Sequence, residues 1–156
     1  MDARYYIEHL QLLPHPEGGF YRETCRAEGT TGDRNYATAI YFLLTAGNFS
    51  AFHRIKSDEV WHFYAGSGLI VAEIATSGEL ISTRLGANVR DGEVFQYTVK
   101  AGHWFGSYIP DKEGFALVGC TVAPGFDFRD FEMAKRHELL ETYPGFEAVI
   151  KKLTRE

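Results

Sequence analysis

The sequence predicts an all-β core, a sandwich or barrel, with a short helix before it and helices after it. Three observations carry this. From "GGFYRETCRA" to "FALVGCTVA" the apolar pattern repeats every two residues, in short runs rich in Val, Ile, Tyr, Phe and Thr. Gly, Asn, Asp and Ser clusters separate these runs, with no helical-period stretch between them. The chain also holds twelve Phe, nine Tyr and two Trp in 156 residues, an aromatic share that suits strands and pocket walls.

Along the chain, "DARYYIEHLQLLP" places Tyr6, Ile7, Leu10 and Leu13 at helical spacing, with Asp2 as N-cap and Pro14 as a stop. Strand runs follow at 19–26, 36–45, 49–55, 59–66, 69–75, 80–86, 94–100, 103–109 and 115–123. After the turn "PGFDF" the period becomes helical again in "RDFEMAKRHELLETY", with Asp130 as its expected cap. A last helix, "PGFEAVIKKL", carries Pro144 in its first turn. One domain over 1–156 is expected, since this length buries a core without disulfides and no repeat or linker interrupts it.

A net charge of -5 without a Lys/Arg-rich run argues against nucleic acid and anionic membranes as partners, which leaves small molecules. The start, "MDARYYIEHL", has no apolar h-region and no segment is long enough to cross a bilayer, so a cytoplasmic protein is expected. Cys25 and Cys120 make no disulfide framework, and Cys120 in "ALVGCTV" reads as a small buried hydrophobe.

Chemistry concentrates in "FHRIKSDEVWHFY". Read as a hairpin turning at Lys56-Ser57-Asp58, it sends His53, Ile55, Glu59, Trp61 and Phe63 to one face and His62 to the other. His53 and Glu59 become diagonal neighbours, a carboxylate beside an imidazole, suited to a metal or to acid–base work. Arg22, in a run where charge is depleted, is a candidate clamp for a ligand carboxylate or phosphate. Trp61, Phe63, Trp104 and Phe105 are candidate pocket wall, with Gln96 and Lys100 within reach of a ligand.

These residues resemble the first motif of the cupin superfamily, G-x5-H-x-H-x3-E-x6-G. Gly47, His53, Glu59 and Gly66 match it, and Ile55 stands in place of the second histidine. "GEVFQYTVKAGHWFGSYI" is similar to the second motif, with Gly102 as its central glycine. Lys100 then replaces the proline, Phe105 the third metal-binding histidine and Ile109 the asparagine. The phrases "LLPHPEGGFYRET", "TAIYFLL", "FHRIKSDEVWHFYAG" and "ALVGCTVAPGFDFRDFE" resemble a small single-domain cupin group of unknown function, over about residues 8–150. The resemblance implies a jelly-roll β-barrel, a homodimer, and a pocket inside the barrel.

Cupin metal sites use three imidazoles and a carboxylate, and two of those four positions are Ile55 and Phe105. No cofactor is therefore expected. The alternative is a divalent metal held by His53, Glu59 and His103, which shares strand parity with Phe105, in an oxygenase or isomerase. Without metal, His53 and Glu59 form an acid–base pair, by analogy with metal-free sugar-nucleotide epimerases of the superfamily. That implies an isomerase or epimerase acting on a sugar-like or carboxylated metabolite, with Tyr21, Tyr41, Tyr64 or Tyr108 as the opposite acid. A ligand-binding or sensing module without chemistry is the third reading.

Overall fold

A computed structural model describes residues 1–156. Helix α1, Ala3–His9, starts where expected, because the Asp2 carboxylate accepts the Tyr5 amide at 2.9 Å. Its apolar positions Tyr6, Ile7 and Leu10 pack around Leu12, Leu43 and Leu117 on the outer face of a sheet.

Thirteen strands follow, numbered along the chain. One sheet has the order β1-β2-β5-β12-β7-β10: Leu13–Pro14, Phe20–Arg26, Thr38–Thr45, Phe115–Ala123, Asp58–Gly66 and Gln96–Val99. The facing sheet has the order β13-β6-β11-β8-β9: Glu132–Met133, Phe49–Arg54, Trp104–Tyr108, Leu69–Ile74 and Leu80–Leu85. A small hairpin, β3 Thr30–Thr31 with β4 Arg34–Asn35, lies outside both. The result is an antiparallel jelly roll whose two sheets are not closed into one continuous barrel. All nine expected strand runs appear, because each is half buried and alternation reports that directly.

Two expectations fail, for non-local reasons. Residues 49–66 are not a hairpin: β6 and β7 belong to different sheets, and the Lys56-Ser57 link is a corner between them. Turn-formers signal a change of direction and leave the partner unspecified. The second helix also begins later than expected, as α2, Arg136–Thr142, because Glu132–Met133 is drawn into pairing with β6. Asp130 caps nothing. It is held by Arg34 at 2.8 and 2.7 Å, while Asp127 caps the single 3-10 turn Phe128–Asp130. Pro144 opens the last helical segment as expected, leading into α3, Glu147–Lys152.

Between the sheets lies the main core, with Phe42, Ile55, Trp61, Val71, Phe105 and Val118 among its members. A second apolar layer forms where Phe52 and Ile74 meet Leu139, Ile150 and Leu153 from the C-terminal helices. The five-stranded sheet is thus covered on both faces, which fixes the strand that carries His53.

Candidate functional site

The site begins in the turn "HPEGG", between β1 and β2. Gly18 has φ +110°, and a Cβ there would lie 2.0 Å from the Phe49 carbonyl oxygen. Only glycine lets the turn lie this close to β6. The Glu17 carbonyl then accepts the Ala51 amide at 2.9 Å and the Arg155 guanidinium at 2.9 Å, and its side chain enters the space between the sheets.

There the Glu17 Oε2 lies 2.8 Å from His53 Nε2. His53 Nδ1 faces the Ala51 carbonyl at 2.7 Å, and since a carbonyl only accepts, Nδ1 carries a hydrogen. Burial alone would push the His53 pKa down, but the charge and hydrogen bond of Glu17 outweigh it, and the pKa is raised. The same balance lowers the Glu17 pKa: burial acts to raise it, and the charge and hydrogen bond of His53 overcome that. The pair is an imidazolium and a carboxylate. Phe105 and Phe131 flank the ring at centroid distances of 4.1 and 5.1 Å, where aromatic faces favour a cation.

His15 stays neutral, its pKa lowered chiefly by burial, and its Nδ1 accepts the Glu17 amide at 3.1 Å. Glu59 comes from β7, on the opposite sheet. Its one hydrogen-bond partner in the protein is Trp61 Nε1, which donates to Oε2 at 3.1 Å. Burial in the apolar cavity wall, only partly offset by the His53 charge, raises its pKa to about 7. Cys120, also in the wall, has its thiol pushed well up by burial and stays unreactive.

These groups line a cavity of about 280 Å³ between the sheets, with Tyr21, Ile40, Phe42 and Val122 as further wall. Phe126, Phe128 and Phe131 close one side, carried on the segment after β12. The Arg34–Asp130 pair ties that segment to the β3–β4 hairpin, and Gly125 donates to the Asn35 carbonyl at 2.7 Å. Arg34→Ala is expected to speed amide exchange across residues 126–131 in hydrogen-exchange measurements, with the strand amides unaffected.

Residues 4–134 match the family described as Cupin superfamily (DUF985). The chain belongs to this cupin family. It is similar to the uncharacterized protein YML079W of Saccharomyces cerevisiae, at 31% identity over 89% of this chain and 78% of the yeast protein. Among solved structures, protein SO0799 from Shewanella oneidensis superposes with a TM-score of 0.95 at 44% identity, covering 99% of this chain and 98% of that one. A hypothetical protein from Leishmania major gives 0.96 at 39% identity, with both chains fully covered. Oxalate decarboxylase from Bacillus subtilis shares the fold alone, at a TM-score of 0.60 and 14% identity over 90% of this chain and 36% of that one.

The residues of this cupin do not fit the metal centre that the superfamily implies. Both nitrogens of His53 are engaged, Ile55 and Phe105 have no donor atom, and no three His, Cys, Asp or Glu side chains are arranged around a common point. His103 does not join His53 and Glu59. It sits before β11 and its Nδ1 lies 2.5 Å from Glu73 Oε2, away from the cavity lining. The buried Glu73 also accepts the Tyr97 hydroxyl, and burial, then this bond, push the Tyr97 phenol up to about 12.

Of the other sequence candidates, Trp61 lines the cavity and Phe105 lies behind His53. Phe63 packs against the core outside the lining. Gln96 is exposed opposite His62, which faces outward as expected and meets the Thr121 hydroxyl. Trp104 packs on the C-terminal layer under the Arg54 guanidinium. Arg22 reaches the Leu10 carbonyl and Gln11, fastening α1. Alternation with the cavity-lining Tyr21 and Glu23 turns Arg22 away, and a register shift between Glu23 and Cys25 then brings Arg26 onto the cavity face. Among the four tyrosines, Tyr21 alone lines the cavity. Sequence reasoning missed Glu17, whose only signal is an acid preceding two glycines, and the Phe126–Phe131 wall.

Proposed function

We propose that this cupin holds a small molecule in the cavity between its sheets, and that Glu59 is the group that exchanges a proton with it. The observation that carries this is the state of Glu59: it faces the cavity with an oxygen free of protein partners and a pKa raised to about 7. A group poised there donates and accepts near neutral pH. The expected pairing of His53 with Glu59 gives way to His53 with Glu17, so His53 is a positioning residue that keeps a compensated charge behind the cavity wall.

An isomerase or epimerase is the second reading, favoured by the same pKa. The Glu59 carboxylate would take a proton from carbon next to a carbonyl, with Tyr21 or the His15 ring as the opposing donor. Incubation with aldoses and ketoses in D2O, followed by NMR, tests it. Exchange at the carbon beside the carbonyl is expected to fall about 100-fold or more in Glu59→Gln. Wild-type protein that binds such a sugar without exchange removes the catalytic reading and leaves binding.

Glu59 also makes stability depend on pH. Its folded pKa of about 7 exceeds its unfolded value of 4.5, so between those values the unfolded chain has released a proton that the folded protein keeps. Stability then falls as pH rises through this window, by about 3 kcal/mol, and is level above it. Denaturant melts of Glu59→Gln from pH 4.5 to 8 are expected to lack this decline.

We also infer a homodimer from the resemblance to cupins, with the outer face of the six-stranded sheet around Tyr41, Tyr64 and Tyr5 as the contact. Analytical ultracentrifugation that finds only monomer would remove it.

A further inference from the structure

We infer that the molecule this cavity takes is an organic cation, a protonated amine on an apolar or ring-shaped body, with its ammonium on Glu59. The inference rests on the binding reading above and names its ligand class. Three carboxylates line the cavity, Glu17, Glu23 and Glu59, against two cationic side chains, His53 and Arg26. His53 is taken by Glu17. Arg26 is taken by Glu23, through Nε at 3.2 Å and Nη2 at 2.6 Å, and its Nη1 donates to Asn35 Oδ1 and the Phe126 carbonyl.

No positive group is therefore left for a ligand carboxylate or phosphate, and one carboxylate has no counter-ion. An anion would add a second unpaired negative charge to the cavity. A cation supplies the missing partner to Glu59, and the aromatic rings of Tyr21, Phe126 and Phe131 in the same wall suit an ammonium and its hydrocarbon body. With the ammonium in place Glu59 is ionised, so a ligand of this class favours binding over carbon-acid chemistry.

Three six-membered-ring probes of matched shape separate the possibilities: cyclohexylammonium, cyclohexanol and cyclohexanecarboxylate, titrated into the full chain and followed by NMR of the Trp61 indole. At pH 8 the amine is expected to bind about tenfold or more tighter than the alcohol, with the carboxylate weakest, and Glu59→Gln to remove the preference. The other titratable groups that line the cavity with Glu59 are His15, Glu17, Tyr21, His53, Cys120 and the Arg26–Glu23 pair. None of these supplies a free positive charge in this range, since His53 is already paired and His15 is held neutral. Amine binding to the wild type should therefore be about tenfold weaker at pH 6 than at pH 8, a readout that stands if the variant fails to fold. Alcohol or carboxylate binding as tight as the amine overturns the cation and leaves the binding reading intact. No response to any of the three overturns both.

Discussion

Glu17→Ala is expected to lower the unfolding free energy by about 3–5 kcal/mol, because it strands the His53 charge among aromatic rings with no counter-ion. His53→Ala should cost a similar amount for the mirror-image reason. The double change Glu17→Leu with His53→Phe should recover most of the loss, since a buried pair is worth little more than well-packed apolar groups. The sign with pH follows from both shifts. His53, raised, contributes fully below its unfolded value of 6.5 and loses this as pH rises through its folded value. Glu17, lowered, contributes fully above 4.5 and loses this as pH falls through its folded value. Urea melts across pH should show the gap between wild type and Glu17→Ala widest between 4.5 and 6.5. A gap that does not change with pH would show that the ion pair is not its source.

Gly18→Ala is the second large effect. The new Cβ would meet the Phe49 carbonyl oxygen at 2.0 Å, and that atom is backbone that β6 pairing holds in place. The residue would also keep a positive φ of 110°. Strain at such a position and the forced shift of the turn together cost about 3 kcal/mol. The turn would lift from β6 and carry Glu17 away from His53, so the variant should resemble Glu17→Ala in both its melts and its pH dependence. A Gly18→Ala protein as stable as wild type would refute the close packing of this turn.

The strands were legible because alternation is a local property, and it placed His53, Glu59 and Trp61 inward even though the pairing assumed for them was wrong. What partners a strand is decided across the fold, which is why the corner at Lys56-Ser57 looked like a hairpin. Arg26 gives no signal of its own, because the bulge that turns it onto the face of Tyr21 and Glu23 adds one residue that nothing in "FYRETCR" marks. Glu17 escaped notice for a different reason. Turn residues have no period to report their burial, and the glycines that permit its approach advertise only a turn. His103 precedes β11 and takes no part in its pairing, and buried Glu73, 30 positions earlier, claims its ring.

The contact between Arg155 and the Glu17 carbonyl joins residues 138 positions apart, and the same guanidinium reaches the Phe49 carbonyl at 3.1 Å. Contacts this distant in sequence form slowly, because the intervening chain must be ordered before they can close. The sheets can therefore pair before the acid that faces His53 is locked into position. Refolding followed by tryptophan fluorescence and by ligand capture should report two separate events, with the capacity to bind arriving last.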